Sequence, residues 1–318
     1  MLKPLLKFIY RSQYHAAPYL NHIRPIDVSL ELASICNQAC NYCYHSDQKT
    51  LPFQKGIMSE RIAKLIILDA SRLNVPSIKL NYRGESTLNP NFEMLTEFAK
   101  DHAGKYTFQE RITNSNFKFD INRDDIFRGL CNQTKVKVSF DSFVPGVMEH
   151  QRAGSDIIKA MENITKFYNF KYRKDTELVI QAVRTKLNAN EDIAYEVKKL
   201  WPTAKISIRD MVSGRVESVK SDALENRPRD LSERKSCIQA HARLIFNFEG
   251  KAQMCCPDIG SVLTVGNIET ETLFEIFNSP KAKEIRKRLK NKTAFHLDPC
   301  KNCASFESYR GYSASWGS

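Results

Sequence analysis

No apolar run in the chain approaches the ~20 residues that a membrane-spanning helix needs, and no secretory signal is visible. The sequence also lacks internal repeats and low-complexity tracts, so repetition does not build the fold. Acidic residues are in short supply: 36 Asp and Glu face 48 Lys and Arg, a formal net charge of +12 that favours an anionic partner. No acid at all precedes Asp27. That basic leader could imitate an organelle presequence, but it reads more simply as a leading helix, and the expected location is cytoplasmic. Cysteine is not scarce, but it is unevenly placed. The nine cysteines are clustered, a pattern of metal binding in a reducing compartment and not of a disulfide framework.

At 318 residues the chain can hold one barrel of roughly 200–250 residues and an appendage. Ile26, Val28, Leu30 and Leu32 alternate with Asp27, Ser29 and Glu31, which predicts a half-buried strand. A helix follows, capped by Ser59; then a strand with Ile78, Leu80 and Tyr82, and a helix starting at Asn89-Pro90. Further strands are expected near Tyr106 to Thr113, in KVKVSFD, in LVIQAV and in AKISIRD, with helices beginning at Ser155 and Asn190. Strands alternating with helices predict a parallel sheet of βα units, an α/β fold. In such folds chemistry sits on the loops after the strands. Cys36 to Cys43 follow the first strand, Gly84 and Glu85 the second, Asn114 the third, and Asp141 ends the fourth.

Cys36, Cys40 and Cys43 are spaced C-x3-C-x2-C, with Tyr42 just before the third. Three soft thiolates on one loop suit an iron–sulfur cluster or zinc. A structural zinc wants four ligands, and His45 is the nearby candidate for the fourth. The spacing, the aromatic and the preceding strand resemble the radical-SAM superfamily. That resemblance implies a partial (β/α)6 TIM-type barrel and a [4Fe–4S] cluster on Cys36, Cys40 and Cys43. It also implies S-adenosylmethionine chelated to the open iron, a 5′-deoxyadenosyl radical, and a flavodoxin- or ferredoxin-type reductant. Gly84 and Glu85 stand where the family's Gly-Gly-Glu-Pro strand end meets the methionine ammonium, although here the motif reads Arg-Gly-Glu-Ser. Arg152 matches an Arg-x-Gly pattern that meets the methionine carboxylate. Ser139 and Asp141 lie where the ribose would bind and Tyr42 near the adenine, and Asn114 is a further cofactor-binding candidate.

A second cysteine set comprises Cys237, Cys255, Cys300 and Cys303, with Cys256 an alternative to Cys255. Four thiols make a complete tetrahedral set, for a second [4Fe–4S] cluster or for zinc. The arrangement resembles the SPASM and twitch auxiliary-cluster appendages in the single-cluster form. HARLIFNFEGKAQMCC is read as a hairpin turning at Glu249-Gly250, followed by a helix from about Glu271 to Lys292. Cys131 is read as an ordinary buried cysteine. The expected domains are an extension at 1–25, the barrel at 26–212, a linker at 213–236 and the auxiliary domain at 237–318.

The resemblance implies an enzyme, an oxidoreductase or isomerase that abstracts hydrogen from a substrate carbon. Peptide maturases and sugar dehydrogenases belong to the same superfamily. A zinc-stabilised nucleic-acid-binding protein is the competing class. Alternation points Lys79, Arg83, Lys137, Lys205 and Arg209 into the barrel, with Asp27, Glu31 and Asp141 to neutralise three of the five. The remainder suit an anionic substrate, a nucleotide or nucleic acid. The basic stretch Lys281 to Lys292 and the tail with Tyr309, Arg310, Tyr312 and Trp316 could extend that contact to a polymer.

Overall fold

The structure, a computed structural model, describes residues 2–20, 22–46, 51–170, 175–211, 237–294, 299–300 and 303. The expected linker and the aromatic tail lie outside the described residues. Helix α1 (Leu2–Ala16) precedes β1 (Asp27–Leu30), every residue of which is buried. Five βα repeats follow: α2 (Glu60–Arg72), β2 (Ser77–Lys79), α3 (Phe92–Asp101), β3 (Glu110–Ser115), α4 (Asp124–Cys131), β4 (Lys135–Ser139), α5 (Pro145–Gln151), α6 (Ile157–Asn169), β5 (Glu177–Arg184), α7 (Ile193–Leu200) and β6 (Lys205–Asp210). All six strands run parallel.

The carboxyl-terminal part continues this sheet. Helix α8 (Ile238–Ala242) leads into β7 (Arg243–Phe246), which pairs parallel with β1, placing Asp27 opposite Arg243. Strands β8 (Lys251–Gln253) and β9 (Thr264–Asn267) follow antiparallel, so the nine strands run β6-β5-β4-β3-β2-β1-β7-β8-β9. The predicted hairpin is present, with Gly250 in the left-handed region (φ +80°) at its turn. The single helix expected after it is instead two, α9 (Leu273–Phe277) and α10 (Pro280–Lys290). Pro280 cannot continue α9, and the Ser279 side chain caps the new helix by accepting from the Ala282 amide.

The aliphatic alternation reads out as predicted. Ile78, Leu80, Val136 and Val138 are fully buried in the main core, with Ile206 and Ile208 packed against it. Helix starts shift by a few residues because a neighbouring side chain does the capping: Asp156 in place of Ser155, and Asp192 in place of Asn190. Asn89 is not a helix cap. Its side chain donates to the Leu32 and Met58 carbonyls, tying the second loop to the first. The third strand runs two residues further than expected and includes Asn114. Cys131 is half-buried at the end of α4, packed on the core.

Candidate active site and auxiliary cysteine set

The cysteine loop after β1 is held from three sides by backbone and amide contacts. Asn37 donates to the Lys118 carbonyl (2.7 Å) and accepts from the Asn116 side chain (2.7 Å), while the Ala39 and Asn41 amides donate to Ala153 and Gln151. Lys118 Nζ returns to the Asn37 carbonyl at 3.1 Å. Inside the loop the Cys43 amide donates to the Cys40 carbonyl (2.9 Å), turning the chain so that the thiols are neighbours. Gly84 is where the second loop meets this one. A Cβ there would lie 2.3 Å from the Ile35 carbonyl oxygen and 2.5 Å from that of Ala33, so only glycine fits. Next to it the Glu85 amide donates to Ile35.

Burial pushes the Cys36 thiol up to about 12, helped by the nearby Glu85 carboxylate and by the other two cysteines. Cys40 is pushed up to about 11, again by burial, against the opposing pull of Arg152. Arg152 Nη1 approaches Cys40 Sγ at 3.8 Å. Among the described residues no three Cys, His, Asp or Glu side chains converge on a point that a single metal ion would fill. The thiols are thus neighbours on one loop and not a preformed shell. The donor set itself, three soft sulfurs beside a guanidinium that stabilises thiolate, fits an iron–sulfur cluster. His45 is buried against Phe53, ring centroids 5.4 Å apart, and burial lowers its pKa.

The other expected residues divide into two groups. Asp141, fully buried, is the hub of the first. Its carboxylate accepts from Arg152 Nη2 (2.9 Å), from the Val183 amide (2.9 Å) and from the Tyr42 hydroxyl, and Arg152 also lies over the Tyr42 ring. Burial disfavours the Arg152 charge, but Asp141, Tyr42 and Cys40 outweigh it and hold the guanidinium above its ordinary value. Asp141 therefore positions Arg152 and Tyr42 for the cysteine loop. In the second group, Asn114 and Ser139 hydrogen-bond each other at 3.1 Å across β3 and β4. Glu85 accepts from the Thr87 hydroxyl (2.8 Å) and the Thr87 and Asn116 amides, though burial still raises its pKa.

The sequence reading missed the clamp formed by Asn37, Asn116 and Lys118. It also missed Asn188, whose side chain donates to the Asp141 carbonyl at 2.7 Å. These are polar loop residues outside any periodic pattern; an Asn on each of two strand-end loops was the sole signal. Asp141 was expected to neutralise one of the five inward cations. It pairs with Arg152 instead, because α5 folds Arg152 back over the end of β4.

The second cysteine set comes together around the start of α8. Cys237 caps that helix, and its thiol is pushed up to about 12 by burial and by Cys303 and Cys300, against hydrogen bonds from the Ala240 and Gln239 amides. Cys255 is buried and raised well above the ordinary thiol value by burial, then by Cys237, Cys256 and Cys300. The Cys303 amide donates to the Cys300 carbonyl (3.2 Å). Two barrel residues grip this region. The Tyr82 hydroxyl lies 3.1–3.2 Å from Gln253 Oε1 and the Cys256 and Asp258 carbonyls. Arg83 makes a buried two-pronged pair with Glu31 (both 2.6 Å) and donates to the Ile259 carbonyl (2.7 Å).

Six parallel strands thus carry a three-thiol loop after the first of them, and the sheet is extended by a carboxyl-terminal part with four more thiols, one before α8, one after β8 and two after α10. The SPASM family profile, an iron–sulfur cluster-binding domain, matches residues 237–304. The chain therefore carries a SPASM domain at that end. Solved structures share this fold over most of the chain. BtrN in complex with AdoMet and 2-DOIA has a TM-score of 0.56 at 17% identity, over 90% of this chain and 94% of its own. The protein anSMEcpe with bound AdoMet and Cp18Cys peptide has a TM-score of 0.58 at 17%, over 88% and 86%. SuiB of Streptococcus suis bound to precursor peptide SuiA has a TM-score of 0.60 at 12%, over 87% and 70%. No curated protein sequence matches the chain.

Proposed function

We propose that the protein is a radical-SAM enzyme acting on a small anionic substrate. The observation that carries this reading is the cysteine loop joined at Gly84 to the Glu85 loop, with Asp141-fixed Arg152 against Cys40. Cys36, Cys40 and Cys43 would hold the catalytic [4Fe–4S] cluster, and Cys237, Cys255, Cys300 and Cys303 the auxiliary one. Cys255 is preferred to Cys256 because its thiol, the buried one, interacts with both Cys237 and Cys300. When bound, the catalytic cluster with S-adenosylmethionine supplies a 5′-deoxyadenosyl radical that takes hydrogen from a substrate carbon, leading to oxidation or rearrangement. A flavodoxin- or ferredoxin-type protein would supply the electron.

The chain's own residues bind and orient. Arg152 presents a fixed cation for the methionine carboxylate, and Tyr42 a ring held by Asp141. Glu85 offers a carboxylate already oriented by Thr87 and Asn116. Asn114 and Ser139 offer a linked amide and hydroxyl. We assign 26–212 to the barrel and 237–318 to the auxiliary domain, joined through β7.

The anionic substrate is supported by the inner wall. Of the five inward cations, Lys79 pairs with Asp27 (2.7 Å), Arg83 with Glu31 and Lys205 with Glu177 (2.9 Å). Lys137 is buried among charges of both signs. Burial, then Arg209, Lys79 and Lys135, push its ammonium down to about 7 against the opposing Glu110. A phosphate or carboxylate near Lys137 and Arg209 would favour the charged ammonium, as Glu110 does. Because Lys79, Arg83 and Lys137 are largely shielded from solvent, a nucleotide-sized substrate is favoured over a nucleic-acid polymer.

The test is anaerobic reconstitution with Cys36, Cys40 and Cys43 all changed to alanine. 5′-Deoxyadenosine formation should vanish while iron bound by the auxiliary set remains. Retained 5′-deoxyadenosine, or a wild-type protein holding zinc without sulfide, overturns the reading.

A further inference from the structure

Helix α1 buries only one side. Tyr10 and Ala17, with the half-buried Tyr14, pack with Ile26, Ile238 and Ala242 in a small core of their own, which seats α1 on α8. On the far side Leu5, Phe8 and Ile9 form an i, i+3, i+4 stripe that is 54%, 68% and 42% exposed. The segment after the helix prolongs it with Tyr19, Leu20 and Ile23, exposed by 77%, 45% and 68%. Six large apolar side chains outside one small core are more than scattered surface hydrophobics.

The charge around this stripe is mainly positive, with Glu284 of α10 the exception. The sequence has no acid before Asp27 and includes Lys3, Lys7 and Arg11, the last paired with Glu110. The basic helix α10 stands next to it. The Asn278 side chain, just before α10, donates to the Ile23 carbonyl at 2.8 Å, and α10 packs on α8 as α1 does. Lys281, Lys283, Lys287 and Lys290 of α10 are exposed. The buried His241 of α8 lies near the α10 cations. Its pKa is pushed down to about 4 by burial and then by Arg286, Lys290 and His22.

We propose that α1, the segment after it and α10 form one docking face for an anionic lipid bilayer, on which the protein lies without crossing it. Apolar side chains flanked by lysine match the hydrocarbon and headgroup layers of such a surface. A nucleic acid would satisfy the lysines but leave Leu5, Phe8 and Ile23 facing phosphate. An acidic protein patch would satisfy the lysines and set the same apolar side chains against carboxylates. The described helices include none long and apolar enough to span a membrane, which fits a surface attachment. Arg11 reaches Glu110, the first residue of β3, at 3.5 Å, so α1 covers the amino ends of the strands. The cysteine loop follows the opposite, carboxyl end of β1. The bilayer would therefore meet the closed end of the barrel and leave its mouth free.

The test is sedimentation of the full-length, cluster-loaded protein with vesicles of phosphatidylcholine containing about a third phosphatidylglycerol, and with phosphatidylcholine alone. The protein should bind the anionic vesicles and not the neutral ones. Phe8→Ser with Ile23→Ser should weaken binding by about tenfold or more, while the conservative pair Phe8→Leu and Ile23→Val should bind as wild type. Lys283→Glu with Lys287→Glu should also weaken it, with circular dichroism and iron content unchanged. Several results overturn the proposal: no binding to anionic vesicles, equal binding to neutral ones, or full binding by the serine pair. So does a stable dimer formed through this face without lipid, or capture of an acidic flavodoxin by this face in place of vesicles.

Discussion

Replacing Asp141 with asparagine tests the centre of the candidate site. The carboxylate accepts from Arg152, the Val183 amide and the Tyr42 hydroxyl, and it is fully buried. Asparagine keeps one carbonyl oxygen, enough for Val183 and one Arg152 nitrogen. Its amide group then faces Arg152 Nε, which now lies 2.9 Å from a carboxylate oxygen. The arginine would be left as a buried cation with no counter-charge. Removing one partner of such a pair costs about 3–5 kcal/mol, and the retained hydrogen bonds place this variant near 3 kcal/mol. Urea unfolding of the cluster-free protein should show that loss. Combining Asp141→Asn with Arg152→Met should recover about 2 kcal/mol of it, because the stranded charge is gone. A single-variant loss below about 1 kcal/mol, or strict additivity, would refute the claim that Asp141 holds Arg152 by charge.

Three further outcomes follow from the geometry. Gly84→Ala forces a Cβ against two carbonyl oxygens of the first loop and should cost about 3 kcal/mol or more in thermal unfolding, with loss of cluster binding; wild-type stability would contradict the close approach. Lys137 is depressed to about 7, so between pH 7 and 8.5 the unfolded chain binds the proton that the folded chain has released, and stability should rise with pH by about 1 kcal/mol per unit. Lys137→Met should flatten that slope, and an unchanged slope would mean that another group titrates there. Tyr82→Phe should weaken the seat of the auxiliary loop by about 1 kcal/mol, read as faster loss of the auxiliary iron under chelator.

Much of this architecture was legible because aliphatic alternation has few interpretations. Ile78 and Leu80, or Val136 and Val138, can be buried on the same side only in one register, and that register carries Lys79 and Lys137 to the other side. Cysteine spacing was equally direct, since three thiols in eight residues cannot be far apart. Pairings were not legible. Asp141 is fully buried just after β4, but its partner depends on how α5 returns, and Arg152 is as close in sequence to several other carboxylates. Glu85 was recognisable by its place after β2, whereas its ligands Thr87 and Asn116 come from a short turn and a separate loop. Pro280 marks the break between α9 and α10, where it is the first residue of the second helix.

The partnership of β1 with β7 bears on how the chain is made. Strand β1 needs β2 on one side and β7 on the other, and β7 lies more than two hundred residues later. On the ribosome the earliest strand therefore waits with one ladder of amides and carbonyls unmatched until nearly the last strands emerge. Such long-range pairing is slow to form, and an idle hydrophobic strand edge invites pairing with another chain. The auxiliary domain thus acts as the closing step of barrel folding, and a chain cut before Cys237 should aggregate and not survive as a smaller enzyme.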